Sequence, residues 1–286
     1  MDPKSHQLTP APNPGPSSPK PTPPSAWYSP GRLSPILTKL AHASAPFLSI
    51  FLVVHLSAPV VAGIAGSGVG SSVMLLGREY YQTRLGERYL LFLPFAVHVT
   101  SGVVKRVVLT PALESTPGQQ KEQPTTHARP RPRPRPRPLT SLLSLTAYTS
   151  LLLFLPLHFF THRLGPSSTH TTPELDLELP KLALHEFPVR SWALYAGLVG
   201  CVGVHWVEGA AVLVRGRGAG VDAGGAGANA GFHLRPRTKR LVLAALGIVA
   251  PVLAGVWRLS REDVWVMEAL GERYREALRV VWVYRV

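Results

Sequence analysis

Residues 40–64 read LAHASAPFLSIFLVVHLSAPVVAGI and contain no Asp, Glu, Lys or Arg. A helix of about 20 apolar residues is long enough to cross the hydrocarbon core of a bilayer. Four further stretches have the same apolar character, and they lie at residues 89–109, 139–162, 192–214 and 241–257. One such stretch could be a buried helix of a soluble protein. Five in one chain predict an all-α membrane protein with about five transmembrane helices.

The composition agrees with a membrane protein. Charged residues make up 16% of the 286 residues, against about 25% in ordinary soluble domains. The 29 prolines and 25 glycines are concentrated in the segments between the apolar stretches. These features exclude a compact soluble enzyme and a wholly disordered chain. The single cysteine, Cys201, excludes an intrachain disulfide and a cysteine-based zinc or iron–sulfur site.

The net charge of +14 is concentrated in three segments. Residues 1–39 carry +3, residues 105–138 carry +6 and residues 215–240 carry +5. With five crossings, these segments fall on the same side of the membrane. The positive-inside rule then predicts that the N-terminus and both basic linkers face the cytosol. Because the basic residues lie between membrane spans, we expect membrane lipids as partners and no nucleic acid.

The chain is expected to have three parts. Residues 1–35 form a disordered Pro-rich tail, residues 36–260 form the five-helix transmembrane domain, and residues 261–286 form an amphipathic segment at the membrane surface. Two linkers interrupt the transmembrane domain: a basic Arg-Pro linker at 111–138 and a Gly-rich linker at 216–235. The Arg-Pro linker is either a spacer or a contact for anionic lipid headgroups.

An offset of 107 residues aligns the first two apolar segments (about 40–110) with the next two (about 139–215). The shared positions are His55 and His162, Pro59 and Pro166, His98 and His205, and Gly102 and Gly209. Matches of apolar residues are common between membrane segments, but matches of histidine are not. The offset therefore predicts a duplicated two-helix hairpin with one histidine on each helix, followed by a fifth helix.

The repeated histidines are candidate haem ligands. A polar side chain inside a membrane usually faces a partner, and two facing imidazoles can supply both axial ligands of a b-type haem. We expect His55 to meet His98 within the first hairpin and His162 to meet His205 within the second, with His158 as an alternative to His162. Hydrogen bonding between helices is the competing interpretation, and proton transfer or contact with lipid headgroups is a third.

The Pro-rich tail is a candidate docking peptide. It contains several overlapping Pro-x-Pro units, and an extended proline peptide can dock to a protein with little ordering cost. The unit with the best apolar flank consists of Leu8, Pro10, Pro12 and Pro14. The alternative is that the tail is a solvated leader.

Residues 32–46, RLSPILTKLAHASAP, resemble the entry to the cytochrome b membrane anchors of succinate dehydrogenase. In that family a Ser-Pro run leads to a His-Arg-x-Ser/Thr-Gly turn of the first helix. This chain keeps Ser34, Pro35, His42 and Ser44, and it has Ala43 and Ala45 where the family has Arg and Gly.

The layout of residues 30–260 more closely resembles a fungal mitochondrial adaptor family, MDM-complementing protein (the MCP transmembrane family). The shared features are a Pro-rich tail, five spans, membrane histidines and basic low-complexity loops. The resemblance implies a non-enzymatic adaptor of the mitochondrial outer membrane that acts in lipid homeostasis and mitochondrial morphology. It also implies that the tail recruits a chorein-type bridge-like lipid-transfer protein to organelle contact sites. A b-type haem cytochrome is the alternative, and lipid transport along a polar groove lined by Glu208 and the histidines is a third hypothesis.

Overall fold

The structure, a computed structural model, describes residues 30–109, 141–169, 176–217 and 236–285, which are almost entirely helical with no strand among them. The helices are α1 (Pro30–Ala65), α2 (Ser67–Tyr81), α3 (Gly86–Val107), α4 (Leu142–Ser168), α5 (Glu178–Glu186), α6 (Pro188–Arg217), α7 (Pro236–Leu259) and α8 (Glu268–Arg279), followed by a 3₁₀ turn, Trp282–Tyr284. The docking unit predicted at Leu8, Pro10, Pro12 and Pro14 lies outside the described residues, as do the Arg-Pro linker and residues 218–235.

Five of these helices, α1, α3, α4, α6 and α7, are long and apolar enough to cross a membrane. Only 6 to 22% of the residues in their most apolar windows are buried inside the protein. Most residues of these windows are therefore partly or fully exposed on the surface of the bundle, where lipid would surround them. This confirms the prediction of an all-α, multi-pass membrane protein with five candidate spans.

Helices α2 and α3 together run back along α1. The Nδ1 atom of His98 lies 3.1 Å from the carbonyl oxygen of Ala41, so α3 pairs with the first half of α1. Gly77 of α2 lies against Val54, so α2 pairs with the second half. The reversal between α1 and α2 occurs at Gly66, whose φ of 93° is in the left-handed region that favours glycine.

Helices α4 and α6 form a second antiparallel pair, in which Gly197 lies directly against Phe154. Helix α7 joins the two pairs. It runs antiparallel to α6, where Arg240 forms an ion pair with Glu208 at 2.8 Å, and it packs along α1. The backbones of α7 and α1 are so close that a Cβ on Gly255 would overlap the carbonyl group of Pro59.

These pairings place the start of α1, the end of α3, the start of α4, the end of α6 and the start of α7 at one end of the bundle, which we call the basic end. The N-terminal tail and both basic linkers connect to the bundle at this end. Five crossings predict that the tail and both basic linkers lie on the same side of the membrane, and in the structure all three connect to the same end of the bundle.

The opposite end of the bundle carries a packed helical cap, formed by α2, α5 and α8 with the adjoining ends of α1, α4, α6 and α7. Two clusters of buried apolar residues hold it together. The first contains Leu157, Leu179, Leu182, Ala183, Tyr274, Leu278, Val281 and Tyr284, and the second contains Ala62, Leu177, Leu184, Val256 and Leu259. The largest buried apolar clusters of the described residues are thus in the cap rather than in the lipid-facing bundle.

The C-terminal segment does form the predicted amphipathic helix, α8, but its apolar face is covered by protein. Tyr274, Ala277 and Leu278 are fully buried against α4 and α5. The apolar face of α8 is therefore covered by the cap rather than left open to lipid. The position of this segment at the membrane surface stays a prediction. Trp265 and Trp282 remain exposed.

An ion pair between Lys181 and Glu178, largely buried, stabilises the cap. Lys181 is 1% exposed, and its Nζ donates to Oε1 of Glu178 at 2.6 Å. The other carboxylate oxygen of Glu178 accepts the backbone N–H of Trp265 at 2.8 Å. Glu178 therefore joins α5 to the segment between α7 and α8.

Replacing Lys181 with Met is expected to destabilise the cap by about 3 kcal/mol, because the Glu178 carboxylate would be left buried without its cation. The measurement is the thermal unfolding of the detergent-solubilised protein. The double variant Lys181→Met/Glu178→Gln should recover much of the loss, since no uncompensated charge remains. A single variant as stable as the wild type would contradict the importance of this pair.

The carboxylate of Asp176 gives the cap a pH dependence. Burial raises the pKa of Asp176, and hydrogen bonds from the Glu178 N–H and the Tyr274 hydroxyl oppose the shift only in part. A raised pKa in the folded state means that the contribution of Asp176 to stability is greatest at low pH and is lost as the pH rises through that pKa.

The variant Asp176→Asn keeps an Oδ1 acceptor for both hydrogen bonds but cannot ionise. We expect its melting temperature, relative to the wild type, to be higher at about pH 7 than at about pH 3, which lies below the ordinary pKa of an aspartate and therefore below the raised pKa of Asp176. Thermal unfolding at the two pH values makes the comparison. A variant that loses more stability at the higher pH would contradict this account of Asp176.

Candidate functional site

A pair of histidines, His98 of α3 and His205 of α6, lies between the two halves of the bundle; we call it the central pair. Their ring centroids are 6.2 Å apart, and the ring planes cross at 89°. The Nδ1 of His98 is 3.1 Å from the carbonyl oxygen of Ala41, and the Nδ1 of His205 is 3.2 Å from that of Leu143. Each histidine is thus oriented by the first helix of its own half.

The two hydrogen bonds determine the tautomers of the central pair. A carbonyl oxygen can only accept, so each Nδ1 carries a proton and donates it. Each Nε2 then has a lone pair, and no group in the described part of the chain hydrogen-bonds either Nε2 atom. The central pair therefore presents two neutral imidazoles whose Nε2 atoms can act as ligands.

The central pair lies near the middle of the membrane-spanning part of α3. His98 is ten residues after Arg88 and seven before Lys105, which places it about 15 Å and about 10 Å from these charged residues along the helix. This depth is where solvent is excluded and where polar groups need a partner.

There is room for a ligand beside the central pair. Gly102 and Gly209 lie one turn beyond His98 and His205, on the same helix faces. A Cβ built on either glycine would meet no atom within 4 Å. Helices α3 and α6 also do not pack closely against each other along their length. The position one turn beyond each histidine thus carries no side chain, and no atom lies within 4 Å of where its Cβ would be.

A second group of aromatic and imidazole rings lies toward the cap, which we call the cap-side cluster. It contains His55, His158, His162, Tyr81 and Tyr195. The ring of His158 contacts both other imidazoles, with centroids 5.8 Å from His55 and 4.6 Å from His162. The Tyr81 hydroxyl lies 3.3 Å from His55 Nδ1, and the Tyr195 hydroxyl lies 3.1 Å from His162 Nε2.

Charged residues border the cap-side cluster. Arg163, the residue after His162, makes two parallel hydrogen bonds to the carboxylate of Glu87, at 2.9 and 3.1 Å. This pair joins the start of α3 to the end of α4. Burial raises the pKa of Tyr81, which lies outside the spanning helices, to about 12, so its hydroxyl stays protonated at neutral pH.

The histidines meet in a different arrangement from the one expected from sequence. His98 lies beside Ala41 of α1. His55 is 14 residues further along α1, which is a distance of about 20 Å along the helix axis. His55 and His98 therefore do not meet within the first hairpin. Each contacts the second half instead: His98 meets its repeat partner His205, and His55 meets His158.

Helix α2 explains the difference. Equal distances from the turn give equal depths in a hairpin only where α3 starts at the level at which α1 ends. In the structure α2 uses the space beside the second half of α1, and α3 begins only after it. Tyr81 and Tyr195 are not matched positions at the offset of 107 residues, so the sequence pattern does not indicate that they lie beside the histidines.

Two further polar residues of the spans, Glu208 and Trp206, have structural partners. The carboxylate of Glu208 is paired with Arg240, so it is not an isolated charge lining a groove. The indole N–H of Trp206 donates to the Ser49 hydroxyl at 3.0 Å and so links α6 to α1.

Within residues 30–109, 141–169, 176–217 and 236–285, no group of three or more His, Cys, Asp or Glu side chains is arranged to hold a metal ion. A haem with two axial ligands does not need such a group.

Comparisons of the chain with protein-family models, with curated proteins and with solved structures give no match.

Proposed function

We propose that this protein is a multi-pass membrane protein that binds one b-type haem through His98 and His205. The geometry of the central pair supports this assignment. Two metal–nitrogen bonds of about 2.0 Å place the centroids of two axial imidazoles roughly 6 Å apart, and the centroids of His98 and His205 are 6.2 Å apart. The lack of a side chain at Gly102 and Gly209, one turn from each histidine, also supports the approach of a flat macrocycle to both helices.

The carbonyl oxygens of Ala41 and Leu143 have a role in this site. A hydrogen bond to Nδ1 fixes the tautomer of a ligating histidine, orients its ring and raises the basicity of Nε2. Because each carbonyl belongs to a transmembrane helix, both ligands are held by backbone rather than by mobile side chains. Haem bound there would provide a one-electron carrier in the membrane, so electron transfer and haem sensing are the activities that it supports.

The proposal is tested by titrating the purified full-length protein in mild detergent with ferric haem. We expect saturation at one haem per chain and a sharp α-band after reduction with dithionite. A protein that stays colourless after haem-replete expression and after this titration would overturn the proposal.

We propose, second, that the protein is an adaptor of the mitochondrial outer membrane whose Pro-rich tail recruits a chorein-type bridge-like lipid-transfer protein to organelle contact sites. The resemblance of residues 30–260 to the MCP transmembrane family supports this role. So does the sidedness of the bundle, since α1 starts at the basic end, the end that the positive-inside rule assigns to the cytosol. The two roles are compatible, because the haem would lie in the bundle and the docking peptide in the tail.

Deleting residues 1–30 is expected to abolish recruitment of the lipid-transfer protein and to leave membrane insertion unchanged. Replacing Leu8, Pro10, Pro12 and Pro14 with Ala tests the best-flanked docking unit. A matched control replaces the prolines of residues 129–138 with Ser, which changes a Pro-rich segment outside the tail. Recruitment that survives the deletion would contradict the adaptor role without affecting the haem proposal.

A further inference from the structure

We propose that the Ser44 hydroxyl of α1 is a second acceptor for the Nδ1–H of His98 and thereby lowers the reduction potential of the haem held by the central pair. This inference rests on the proposed haem site between His98 and His205. Ser44 acts through His98 rather than on the iron, so it is a positioning residue for that ligand.

Ser44 and Ala41 present two oxygen atoms to the same imidazole nitrogen. They lie three residues apart on α1 and therefore on the same face of the helix. The Nδ1 of His98 is 3.1 Å from the carbonyl oxygen of Ala41 and 3.2 Å from Oγ of Ser44. Ser44 is only 5% exposed, so its hydroxyl is enclosed where α1 meets α3.

The hydroxyl of Ser44 accepts a hydrogen bond from His98 rather than donating one to it. Its own proton is already used, because Oγ donates to the carbonyl oxygen of Ala41 at 3.0 Å. A serine hydroxyl has one proton and two lone pairs, so it can offer His98 only an acceptor. The Nδ1–H of His98 is therefore shared between a carbonyl oxygen and a hydroxyl oxygen.

The second half has a hydroxyl at the corresponding place and uses it differently. Thr146 follows the carbonyl that bonds His205 by three residues, which is the spacing that Ser44 has in the first half. Its Oγ1 donates to the carbonyl oxygen of Leu142 at 2.8 Å, with a longer contact of 3.4 Å to that of Leu143. Within the described residues, Nδ1 of His205 bonds the Leu143 carbonyl alone. The two histidines thus share the carbonyl bond and differ in the hydroxyl.

A second acceptor on Nδ1–H changes the ligand strength of an axial imidazole. Each such hydrogen bond increases the basicity of Nε2, the atom that would bind the iron. A more basic ligand stabilises ferric iron more than ferrous iron, because the ferric ion carries the larger charge. Hydrogen bonds to the axial ligands are one of the means by which a protein sets the potential of a haem. The Ser44 hydroxyl is thus expected to favour the oxidised haem and to make the reduced haem a better electron donor.

The test is a potentiometric titration of the full-length, haem-loaded protein in detergent, followed by the α-band. Ser44→Ala removes the hydroxyl, while the carbonyl of Ala41 can still bond His98. We expect the ratio of reduced to oxidised haem at a fixed potential to rise about threefold, the factor that one weak hydrogen bond supplies. For a one-electron couple this is a rise of about 30 mV in the midpoint potential. Ser44→Thr, which keeps a hydroxyl, should keep the wild-type potential.

The matched control is Thr146→Val, which removes the hydroxyl at the corresponding place in the second half. Because that hydroxyl does not bond His205, the midpoint potential should stay at the wild-type value. A potential of Ser44→Ala that is equal to or below that of the wild type would overturn the role of Ser44 while leaving the haem site in place. A shift of the same size in Thr146→Val would do the same. A wild type that binds no haem would overturn the haem site and this inference together.

Discussion

Replacing His98 or His205 with Ala is expected to weaken haem binding about a hundredfold relative to the wild type. One axial ligand would be missing in either variant, so the iron would be held by a single imidazole and would lose its six-coordinate, two-imidazole ligation. The measurement is the absorbance titration with ferric haem. The two variants should behave alike, because the site is built from one histidine of each half.

The cap-side histidines supply the controls. His158 lies between His55 and His162 and contacts both rings, so the present arrangement leaves no gap for a macrocycle there. We therefore expect His55→Ala and His162→Ala to bind one haem as the wild type does. The ligand role of His55 and His162 stays a prediction from the repeat. If it is correct, the wild type binds two haems and each single variant loses only one of them.

Replacing Gly255 with Ala is expected to destabilise the bundle by about 3 kcal/mol, the upper end of the usual cost of overpacking. The added Cβ would overlap the carbonyl group of Pro59, and a backbone group cannot move aside as the end of a flexible side chain can. Helices α1 and α7 would have to separate, and α7 is the helix that joins the two halves. Thermal unfolding of the detergent-solubilised protein should show a clearly lower melting temperature.

Gly247, on the same helix, is the matched control for Gly255. A Cβ at Gly247 would meet only the Leu243 side chain, at an ordinary contact distance of 3.6 Å. Gly247→Ala should therefore be neutral or slightly stabilising, since Ala has the higher helix propensity. Equal effects of the two substitutions would show that the close packing of α1 on α7 contributes little to stability.

The five spans could be predicted because the bilayer imposes a length and a composition on each helix separately. Residues 40–64 satisfy this requirement without reference to any other part of the chain. The common sidedness of the basic linkers follows from the number of crossings alone. Both predictions depend only on the composition of each segment or on the number of crossings, and the structure agrees with both.

The cap could not be predicted in the same way. The α2 sequence, SGVGSSVMLLGREYY, mixes small, polar and charged residues and is too short to span a bilayer, so it does not have the apolar pattern of a transmembrane helix. The helix is stabilised by tertiary contacts, such as Gly70 against Ala58 and Ala62. The burial of Lys181 is likewise a result of packing, since a lone lysine in a sequence is normally exposed.

The offset of 107 residues draws attention to His98 and His205 but does not predict their contact with each other. The offset of 107 residues selects His98 and His205 as equivalent positions, and equivalent positions in two similar halves can meet where the halves face each other. Deciding between pairing within a hairpin and pairing across the halves requires the relative depth of α1 and α3. That depth depends on α2, which the apolar pattern did not reveal.

The most direct test of the account is the electron paramagnetic resonance spectrum of the oxidised, haem-loaded protein. A central site made by His98 and His205 predicts a low-spin ferric signal from two imidazole ligands, present in the wild type and absent from His98→Ala. A high-spin signal with one axial nitrogen, or the absence of any iron signal after loading, would contradict the assignment of the central pair.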